Sequence, residues 1–217
     1  MGMVLLLAML LNACSSSPVR NTNSYVVKPG DTLYSIAWRH RLDYHELARV
    51  NHVGRDYRIH VGQILNFLSH TNAVTPPPKS SAIHAPSTPR PIVSNLHWQW
   101  PVSSAHYTAT TRPNGGRGLT INGVSGQNIV AAAAGRVVYA GTGLLGYGQL
   151  LILKHDETYL SAYGHTQTLI VHEGDQVAAG QKIATVGNGP SGVPQLYFEI
   201  RANGEPLQPL SLLPQQR

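Results

Sequence analysis

The sequence predicts an α+β chain with two small domains joined by a proline-rich linker, the second domain being mainly antiparallel β structure. The chain has 217 residues, enough for one large domain or two small ones. It contains 15 Pro and 21 Gly, which favours turn-rich β structure over a helical bundle. Only 12% of the residues are charged, against ~25% in an average soluble domain, and this composition excludes a charge-rich disordered protein and a coiled coil.

The N-terminus has the composition of a secretory signal. The first 13 residues carry no charged side chain, and Met3–Leu11 is almost wholly apolar. A run of about nine residues is too short to span a bilayer as a helix and is typical of the apolar region of a signal peptide. Cys14 closes this segment and is the single cysteine, which excludes an intrachain disulfide and a cysteine-based zinc cluster.

Residues 11–14, Leu-Asn-Ala-Cys, resemble the lipobox of bacterial lipoproteins. The resemblance implies a signal peptide at residues 1–13, an acylated, palmitate-bearing Cys14 at the start of the mature chain, and a tether at residues 14–24. Ser15 after the cysteine implies an outer-membrane anchor, with the protein facing the periplasm. The alternative is an ordinary secretory signal or a buried N-terminal segment, in which Cys14 is a passive small hydrophobe.

Residues 25–67 predict a compact unit with the order strand, helix, helix, strand. Residues 25–28 form a strand pattern that ends at a Pro-Gly turn signal, and residues 64–67 form the closing strand. Asp31 is predicted to cap a first helix, and Asp43 a second one, because apolar residues with helical spacing follow each of them. A unit of this size is near the lower limit for folding without disulfides or a bound metal. Its large apolar side chains are therefore expected in the core.

The segment 25–37, together with residues 47–51 and 61–63, resembles a LysM module. The resemblance implies binding of N-acetylglucosamine-containing glycans, here peptidoglycan, between the first strand–helix loop and the second helix–strand loop. Gly30, Asp31 and Thr32 would supply backbone and hydroxyl hydrogen bonds to the sugar. Helix capping by Asp31 and Thr32 is the alternative role, and the two roles are compatible.

Basic residues are concentrated in the first half of the chain. Residues 14–95 carry 9 Lys and Arg against 4 Asp and Glu (+5), whereas residues 96–217 carry 7 against 6 (+1). A nucleic-acid surface is one interpretation. Because the basic residues of 25–67 are scattered and the chain is predicted to be exported, we expect no nucleic-acid partner and favour attraction to anionic envelope polymers or lipid headgroups.

Residues 68–95 predict a flexible linker. They contain six prolines and no sustained apolar period, so they cannot bury enough apolar surface to offset the entropy of ordering. A coil of this length spans ~30 Å and would let a wall-bound module carry a second domain to its partners.

Residues 96–217 predict the antiparallel β domain. Short apolar segments alternate with glycine turns, and periods long enough for an amphipathic helix are absent from the sequence. The predicted strands are Ile129–Ala131, Gly135–Tyr139, Leu150–Leu153, Tyr159–Tyr163, Lys182–Val186 and Leu196–Ile200.

Segments at 135–141, 146–148, 162–165, 177–184 and 196–201 closely resemble the LytM domain, the M23-type zinc peptidase fold that cuts peptidoglycan peptides. Active members hold zinc by a His-x-x-x-Asp motif and by the second His of a His-x-His, and two further histidines handle protons. Here the first motif falls on Gly116 and Thr120, and the last on Gln195 and Tyr197. The catalytic histidine of the Tyr-x-His turn is kept as His165.

This donor set is unsuited to zinc, which needs three N, O⁻ or S⁻ ligands and an open position in a hydrolytic site. Glycine has no ligand atom, neutral Thr is a poor ligand, and the phenol would have to lose a proton of pKa ~10. We therefore predict no catalytic residues, no metal and no cofactor. The remaining histidines of the domain lack metal-ligand spacing and are interpreted as surface or hydrogen-bonded residues: His97, His106, His155 and His172.

A LysM-plus-LytM lipoprotein without metal ligands resembles the murein hydrolase activators of the NlpD and EnvC kind. The resemblance implies a non-enzymatic protein whose degenerate groove activates a periplasmic zinc N-acetylmuramoyl-L-alanine amidase, so that septal peptidoglycan is split and daughter cells separate. Two alternatives remain. One is a weak peptidoglycan endopeptidase, and the other is a structural lipoprotein that tethers the outer membrane to the wall.

The strand at 195–201 predicts the partner surface. Side chains alternate between the two faces of a strand, so Leu196, Phe198 and Ile200 are expected in the core. Gln195, Tyr197, Glu199 and Arg201 then share the opposite face. In the resembled enzymes this face lines the substrate groove, so the resemblance implies a concave and accessible partner surface, to which His165 also contributes. In the alternative interpretation, Tyr197 fills the vacated metal cavity while Glu199 and Arg201 pair on the surface.

Replacing Cys14 with Ser is expected to release the protein from the membrane fraction, because acylation of the thiol is the predicted anchor. The measurement is the distribution of the protein between soluble and membrane fractions, with Ser15→Ala as the control that should stay membrane-bound. A Cys14→Ser protein that still partitions with membranes through an uncleaved N-terminus would contradict the lipoprotein prediction.

Overall fold

The computed structural model describes residues 23–67, 96–104, 106–112 and 116–215. The predicted signal peptide, Cys14, nearly all of the tether and the linker at 68–95 lie outside the described residues. Within the described segments, no helix is long and apolar enough to cross a membrane. We refer to residues 23–67 as the N-terminal module and to residues 96–215 as the C-terminal domain.

The N-terminal module has the predicted βααβ order. It consists of β1 (Ser24–Val26), α1 (Leu33–His40), α2 (Tyr44–Val50) and β2 (Ile64–Asn66). The two strands pair in antiparallel register, and the two helices pack over them around a core that includes Leu33, Ile36 and Leu65, each fully buried.

The first helix of the module is capped by Thr32 and not by Asp31. The Thr32 hydroxyl accepts a hydrogen bond from the Ser35 backbone N–H at 3.1 Å, and the Thr32 N–H donates to Ser35 Oγ at 3.0 Å. This reciprocal pair is a capping box. The prediction that Asp31 is the cap is wrong, because its carboxylate accepts from the Tyr25 hydroxyl at 2.7 Å and from the Lys28 N–H at 2.9 Å.

The second helix begins as predicted. The carboxylate of Asp43 accepts hydrogen bonds from the backbone N–H groups of His45 at 2.8 Å and Glu46 at 3.0 Å. These bonds satisfy two of the donors that the first turn of a helix leaves without intrahelical partners.

The C-terminal domain is a mainly antiparallel β domain, and the predicted fold class is confirmed. Its central strands are ordered β3-β4-β11-β8-β7-β6-β9, with β10 joining β5 to β8 and β12 pairing with β11. The strands are β3 (Tyr107–Thr111), β4 (Arg117–Asn122), β5 (Asn128–Val130), β6 (Gly135–Gly141), β7 (Gln149–Lys154), β8 (Tyr159–Leu169), β9 (Gln176–Val177), β10 (Lys182–Val186), β11 (Gln195–Ala202) and β12 (Glu205–Leu207).

All six predicted strands exist, with β8 and β11 longer than expected. Strands β3, β4, β9 and β12 were not predicted. β3 consists mostly of Thr, and β4 begins with Arg and Gly, so both lack the apolar runs on which strand prediction depends. Their omission matters, since β3 and β4 carry one side of the degenerate site.

The central strands of the sheet are apolar on both faces. Leu151, Leu153, Tyr163 and Phe198 belong to the core of the C-terminal domain. The residues between them point to the opposite face of the sheet, which we call the groove face. Its side chains form three cross-strand rows, namely Tyr197–Gly164, Glu199–Ala162–Ile152–Tyr139 and Arg201–Leu160–Lys154–Arg136. The apolar members of the groove face share one buried cluster with the N-terminal module.

His155 holds a buried polar chain within the C-terminal domain. Its Nε2 lies 2.7 Å from Ser161 Oγ, and its Nδ1 lies 2.8 Å from the Ala134 carbonyl oxygen. Ser161 in turn donates to the Tyr163 hydroxyl at 3.0 Å, which also accepts the Ala132 N–H at 2.9 Å. Burial lowers the pKa of His155 to about 4, and the bond to the carbonyl only partly opposes this.

Acidification is therefore expected to destabilise the fold through His155. The folded-state pKa of about 4 lies below the ordinary value of 6.5, so the unfolded chain binds more protons between these values and the stabilisation is lost as the pH falls through that window. Melting temperatures measured across the window should fall less steeply for His155→Gln than for the wild type. His172→Gln, which alters an exposed ring, should retain the wild-type slope, and parallel slopes for all three proteins would refute the role of His155.

Candidate functional site: a degenerate peptidase groove

The predicted ligand positions come together at one end of the groove face. Thr120 on β4 lies directly opposite Tyr197 on β11, and Gly116 immediately precedes β4. The Thr120 hydroxyl is 2.8 Å from that of Thr110 on β3. The three positions that correspond to zinc ligands in the resembled enzymes therefore lie on these paired strands or directly before them. They are occupied by a glycine, a hydroxyl and a phenol.

His165 lies beside these positions on β8. Its backbone has a left-handed φ of 59°, which is uncommon for a residue with a side chain. Its N–H donates to the Tyr147 carbonyl at 2.7 Å, and its carbonyl accepts the Gly187 N–H at 2.9 Å. The backbone bonds on both sides hold the ring in the groove, as predicted for a groove-lining histidine.

Arg112 occupies the centre of the site, and sequence analysis did not identify it. Its Nη2 is 3.1 Å from His165 Nε2. The guanidinium carbon lies 3.7 Å from the centroid of the Tyr197 ring and 4.3 Å from that of Tyr147, and Nη1 donates to the Gly146 carbonyl. A fixed cation is thus held between two aromatic rings, in contact with the retained histidine and the third ligand position.

The residues of the site do not fit a zinc ion. Burial, followed by the charge of Glu199, raises the pKa of the Tyr197 phenol, so the phenolate that a metal would need is disfavoured. The Arg112 guanidinium faces the ring nitrogen of His165 and would repel a second cation. Among the described residues, there is no group of three or more His, Cys, Asp and Glu side chains able to hold a metal. No chemical step is therefore assigned to a metal here.

The electrostatics of His165 follow from this arrangement. Burial, and after it the adjacent Arg112 charge, together lower the pKa of His165 to about 4. The ring is consequently neutral at neutral pH. With Arg112 as donor, Nε2 is the acceptor and the groove contains a neutral imidazole bound to a cation.

The groove-face side chains of β11 form a buried hydrogen-bonded chain. Glu199 accepts from the Tyr197 hydroxyl at 2.8 Å and from Arg201 Nε at 2.7 Å, with the Tyr147 hydroxyl at 3.4 Å. Gly118 makes room for the phenol, because a Cβ there would lie 2.8 Å from the Tyr197 ring.

The predicted alternation of β11 is confirmed, but the predicted exposure is wrong. Leu196, Phe198 and Ile200 are fully buried in the core. Tyr197, Glu199 and Arg201 do share the opposite face, yet each is at most 1% exposed. Arg112 and Tyr147 cover the phenol, and the N-terminal module covers the guanidinium of Arg201. The surface pairing of Glu199 and Arg201 considered as an alternative is likewise wrong, since the pair is buried.

Gln195 is half-buried at the start of β11. It lies opposite Asn122, and its N–H donates to the Gly187 carbonyl at 3.0 Å. It therefore borders the site without joining the Arg112–His165 cluster. Its predicted role in partner binding stays a prediction, as does that of His165.

The predicted glycan residues lie on the first loop of the N-terminal module. Gly30 is exposed and Thr32 half-buried, whereas the Asp31 carboxylate is committed to Tyr25, Lys28 and an ion pair with Arg39 at 3.2 Å. Asp31 and Thr32, with the second loop at residues 55–60, line a cleft of about 850 Å³ whose other wall belongs to the C-terminal domain. The two loops meet as expected of a sugar site, and glycan binding stays a prediction.

The sequence contains little that would have identified Arg112 or Tyr147. Arg112 is separated by only a few residues from Arg117, which is exposed on β4, and nothing in composition distinguishes the two. Tyr147 lies between Gly146 and Gly148, and this spacing matched the LytM pattern without indicating a contact with Glu199. The contacts of Arg112 depend on its position after β3, a strand that the sequence did not predict. The contacts of Tyr147 depend on the conformation of the loop between β6 and β7.

Replacing Arg112 with Gln is expected to raise the pKa of His165 above about 4, because the second cause of its depression is removed while burial persists. The measurement is NMR titration of the histidine ring protons. Arg117→Gln removes the same charge nearby without touching His165 and should leave the pKa unchanged. Equal shifts in both variants, or none in Arg112→Gln, would show that the contact is not electrostatically significant.

Comparison with known proteins assigns both domains. Residues 25–67 match the LysM domain, and residues 114–209 match peptidase family M23. The chain is similar over most of its length to proteins of Pseudomonas aeruginosa and Escherichia coli.

The chain is 36% identical to a lipoprotein NlpD/LppB homolog of Pseudomonas aeruginosa, covering 95% of this chain and 89% of the relative. It is 38% identical to the uncharacterized lipoprotein YgeR of Escherichia coli K12, covering 100% and 94%. It is 34% identical to the murein hydrolase activator NlpD of the same organism, covering 89% of this chain and 68% of the relative. With this identity over nearly the whole of both proteins, the chain belongs to the NlpD/LppB family of lipoproteins.

Proposed function

We propose that the chain is a non-enzymatic activator of periplasmic N-acetylmuramoyl-L-alanine amidases. It binds peptidoglycan through the N-terminal module and the amidase through the groove of the C-terminal domain, and so promotes septal peptidoglycan splitting and daughter-cell separation. The observation that carries the proposal is the Arg112 guanidinium held against His165 where zinc would be bound. The name murein hydrolase activator, borne by relatives from Escherichia coli and Salmonella, supports it.

The proposed amidase surface is the groove formed by Gln195, Tyr197, Glu199 and Arg201 with His165; Tyr197, Glu199 and Arg201 are buried in this structure and meet the amidase only after the residues that cover them move. Tyr and Arg are the side chains most often found as binding hot spots, each worth ~2 kcal/mol or more on truncation. Leu145, which is 96% exposed, lies next to Gly146 on the loop that holds Arg112 and offers an apolar contact at the rim. A groove with an apolar rim and a polar floor suits a peptide or helix of the amidase.

The proposed glycan surface is the cleft that Asp31 and Thr32 share with residues 55–60, with Gly30 preceding them on the same loop. Its hydrogen-bonding groups and half-buried Tyr34 and Tyr57 rings suit a sugar, because aromatic side chains combine apolar faces with polar tips. The bonds of Asp31 to Tyr25 and Lys28 fix the shape of the first loop, so we assign Asp31 a positioning role there.

The proposed location is the periplasmic face of the outer membrane, with the lipid on Cys14 as anchor. The lipoprotein names of the relatives support this location, among them an outer membrane antigenic lipoprotein B of Haemophilus influenzae. The linker at 68–95 then lets the C-terminal domain reach an amidase while the module holds the wall.

A weak endopeptidase is the second candidate, favoured by the retention of His165 in a peptidase fold. It requires a metal that the donor set does not fit. A structural tether is the third, and it predicts that residues 25–67 suffice for function.

An amidase assay on dye-labelled peptidoglycan separates these candidates. The protein alone should release no dye, should carry well under one zinc per chain by elemental analysis, and should increase dye release by an amidase several-fold. Tyr197→Ala and Arg201→Glu should each lower this activation about tenfold or more, the rate equivalent of at least ~1.4 kcal/mol, while binding to insoluble peptidoglycan persists.

The matched controls are Tyr107→Ala, on the edge strand β3, and Lys182→Glu, on the exposed side of β10. Both should activate normally. Thermal melts identify variants that fail to fold. If Arg201→Glu fails to fold, Arg201→Lys replaces it, because lysine keeps the positive charge but lacks the planar guanidinium. One zinc per chain with dye release by the protein itself would establish the endopeptidase, and full activation by both groove variants would exclude the groove.

A further inference from the structure

The groove face of the C-terminal sheet is too apolar to be exposed to water. Leu150, Ile152 and Ala162 are fully buried, and Leu160 is 5% exposed, although none of them belongs to the core of the C-terminal domain. An exposed apolar patch of this kind marks an interaction site. In this structure the N-terminal module occupies it.

Trp38 at the end of α1 forms the centre of this contact. Its ring is 2% exposed and lies 3.7 Å from the guanidinium carbon of Arg201. The Trp38 carbonyl accepts a hydrogen bond from Arg201 Nη1 at 2.8 Å. The Arg201 side chain is therefore buried between Trp38 of the module and Glu199 of its own domain.

Polar contacts surround this centre. His45 Nε2 is 2.8 Å from Glu157 Oε2, and the Tyr44 hydroxyl donates to the Glu157 carbonyl at 3.4 Å. On the opposite side, Arg39 Nη2 donates to the Gly143 carbonyl at 3.2 Å. A hydrogen bond from Lys154, and then one from His45, lower the pKa of Glu157.

The backbones of the two domains touch at Gly204, in the turn between β11 and β12. A Cβ on Gly204 would lie 2.7 Å from the Asp43 nitrogen and 2.7 Å from the Leu42 carbonyl oxygen. Backbone atoms cannot move aside as a flexible side chain can, so any side chain at this position forces the module away.

The contact continues into the degenerate site. Trp38 binds Arg201, Arg201 binds Glu199, Glu199 binds Tyr197, and the Tyr197 ring stacks on Arg112, which contacts His165. Every group proposed to meet the amidase, apart from Gln195 and Leu145, is a member of this series of contacts. The module therefore covers one end of the partner surface and fixes the side chains along it.

We propose that the N-terminal module, docked through Trp38 on Arg201, is an inhibitory cover of the partner groove, and that its departure makes Arg201 and the adjoining groove face available to the amidase. The inference rests on the proposed function and adds its regulation. The module and the amidase compete for Arg201, so each lowers the apparent affinity of the other.

The docked state has features of a reversible contact. Arg201 Nη2 and Trp38 Nε1 are buried without a hydrogen-bond partner among the described residues, and each such group costs about 1–3 kcal/mol. Because the module and the C-terminal domain belong to one chain, docking is intramolecular and even a weak contact remains largely docked. A cover that is ~90% docked lowers the apparent affinity for a competing partner ~tenfold.

Gly204→Ala in the full chain tests the cover. The matched control is Gly126→Ala, since Gly126 has nearly the same positive φ (79° against 80°), but a Cβ there would meet only the end of the Gln167 side chain at 3.7 Å. Both variants carry the same backbone strain, and only Gly204→Ala should increase the radius of gyration in solution scattering. It should also lower the concentration for half-maximal amidase activation about tenfold.

Glu157→Arg is the second variant, because it reverses the partner of His45 without altering Gly204, and it should shift both readouts in the same direction. Expansion without improved activation would overturn the cover while leaving the activator function intact. Compact scattering by both variants would overturn the docked contact itself. No activation by the wild type or any variant would instead refute the proposed function.

Discussion

The two-faced apolar character of the central strands is the constraint on which the structure depends. β7 reads Leu150 to Leu153 without a polar residue, and such runs are typical of strands covered on both sides. One face packs against the core of the C-terminal domain, and the other needs an external cover. The N-terminal module supplies it, which explains why a 43-residue unit at the lower size limit for independent folding shares its apolar cluster with the sheet.

The buried pair Glu199 and Arg201 follows from that cover. Placing a carboxylate and a guanidinium in the interior costs several kcal/mol per ion before their attraction is counted. Two tyrosine hydroxyls on Glu199 and the Trp38 carbonyl on Arg201 offset much of this cost. Arg201 therefore depends on a residue of the other domain for its hydrogen bonding, and removal of the module favours a new partner for it, such as an acidic or carbonyl group of a bound protein.

The fold was predictable where the signal is local. The βααβ module follows from turn residues, helix spacing and the Asp43 cap, and six strands follow from apolar runs between glycines. The predicted cap was wrong by one residue. Asp31 and Thr32 are both good caps, and the bond between Asp31 and the Tyr25 hydroxyl depends on how the loop folds back on β1, which residue type alone does not indicate. Strands β3 and β4 were missed because their Thr and Gly residues pair at a sheet edge without an apolar run.

The sequence predicted the replacement of the metal ligands, but it did not predict the side-chain contacts of the site. Gly116, Thr120 and Tyr197 could be matched to ligand positions, and strand alternation placed Tyr197, Glu199 and Arg201 on one face. Their burial could not be derived, since it depends on a loop that carries Tyr147, on Arg112, which directly follows the unpredicted strand β3, and on the docked module. A guanidinium needs no ordered ligand set and binds through ring faces and carbonyls. Arg112 can therefore keep the groove organised without metal ligands, because its contacts with Tyr197, Tyr147 and His165 take the place of a coordinated ion in joining β8, β11 and the loop at Gly146.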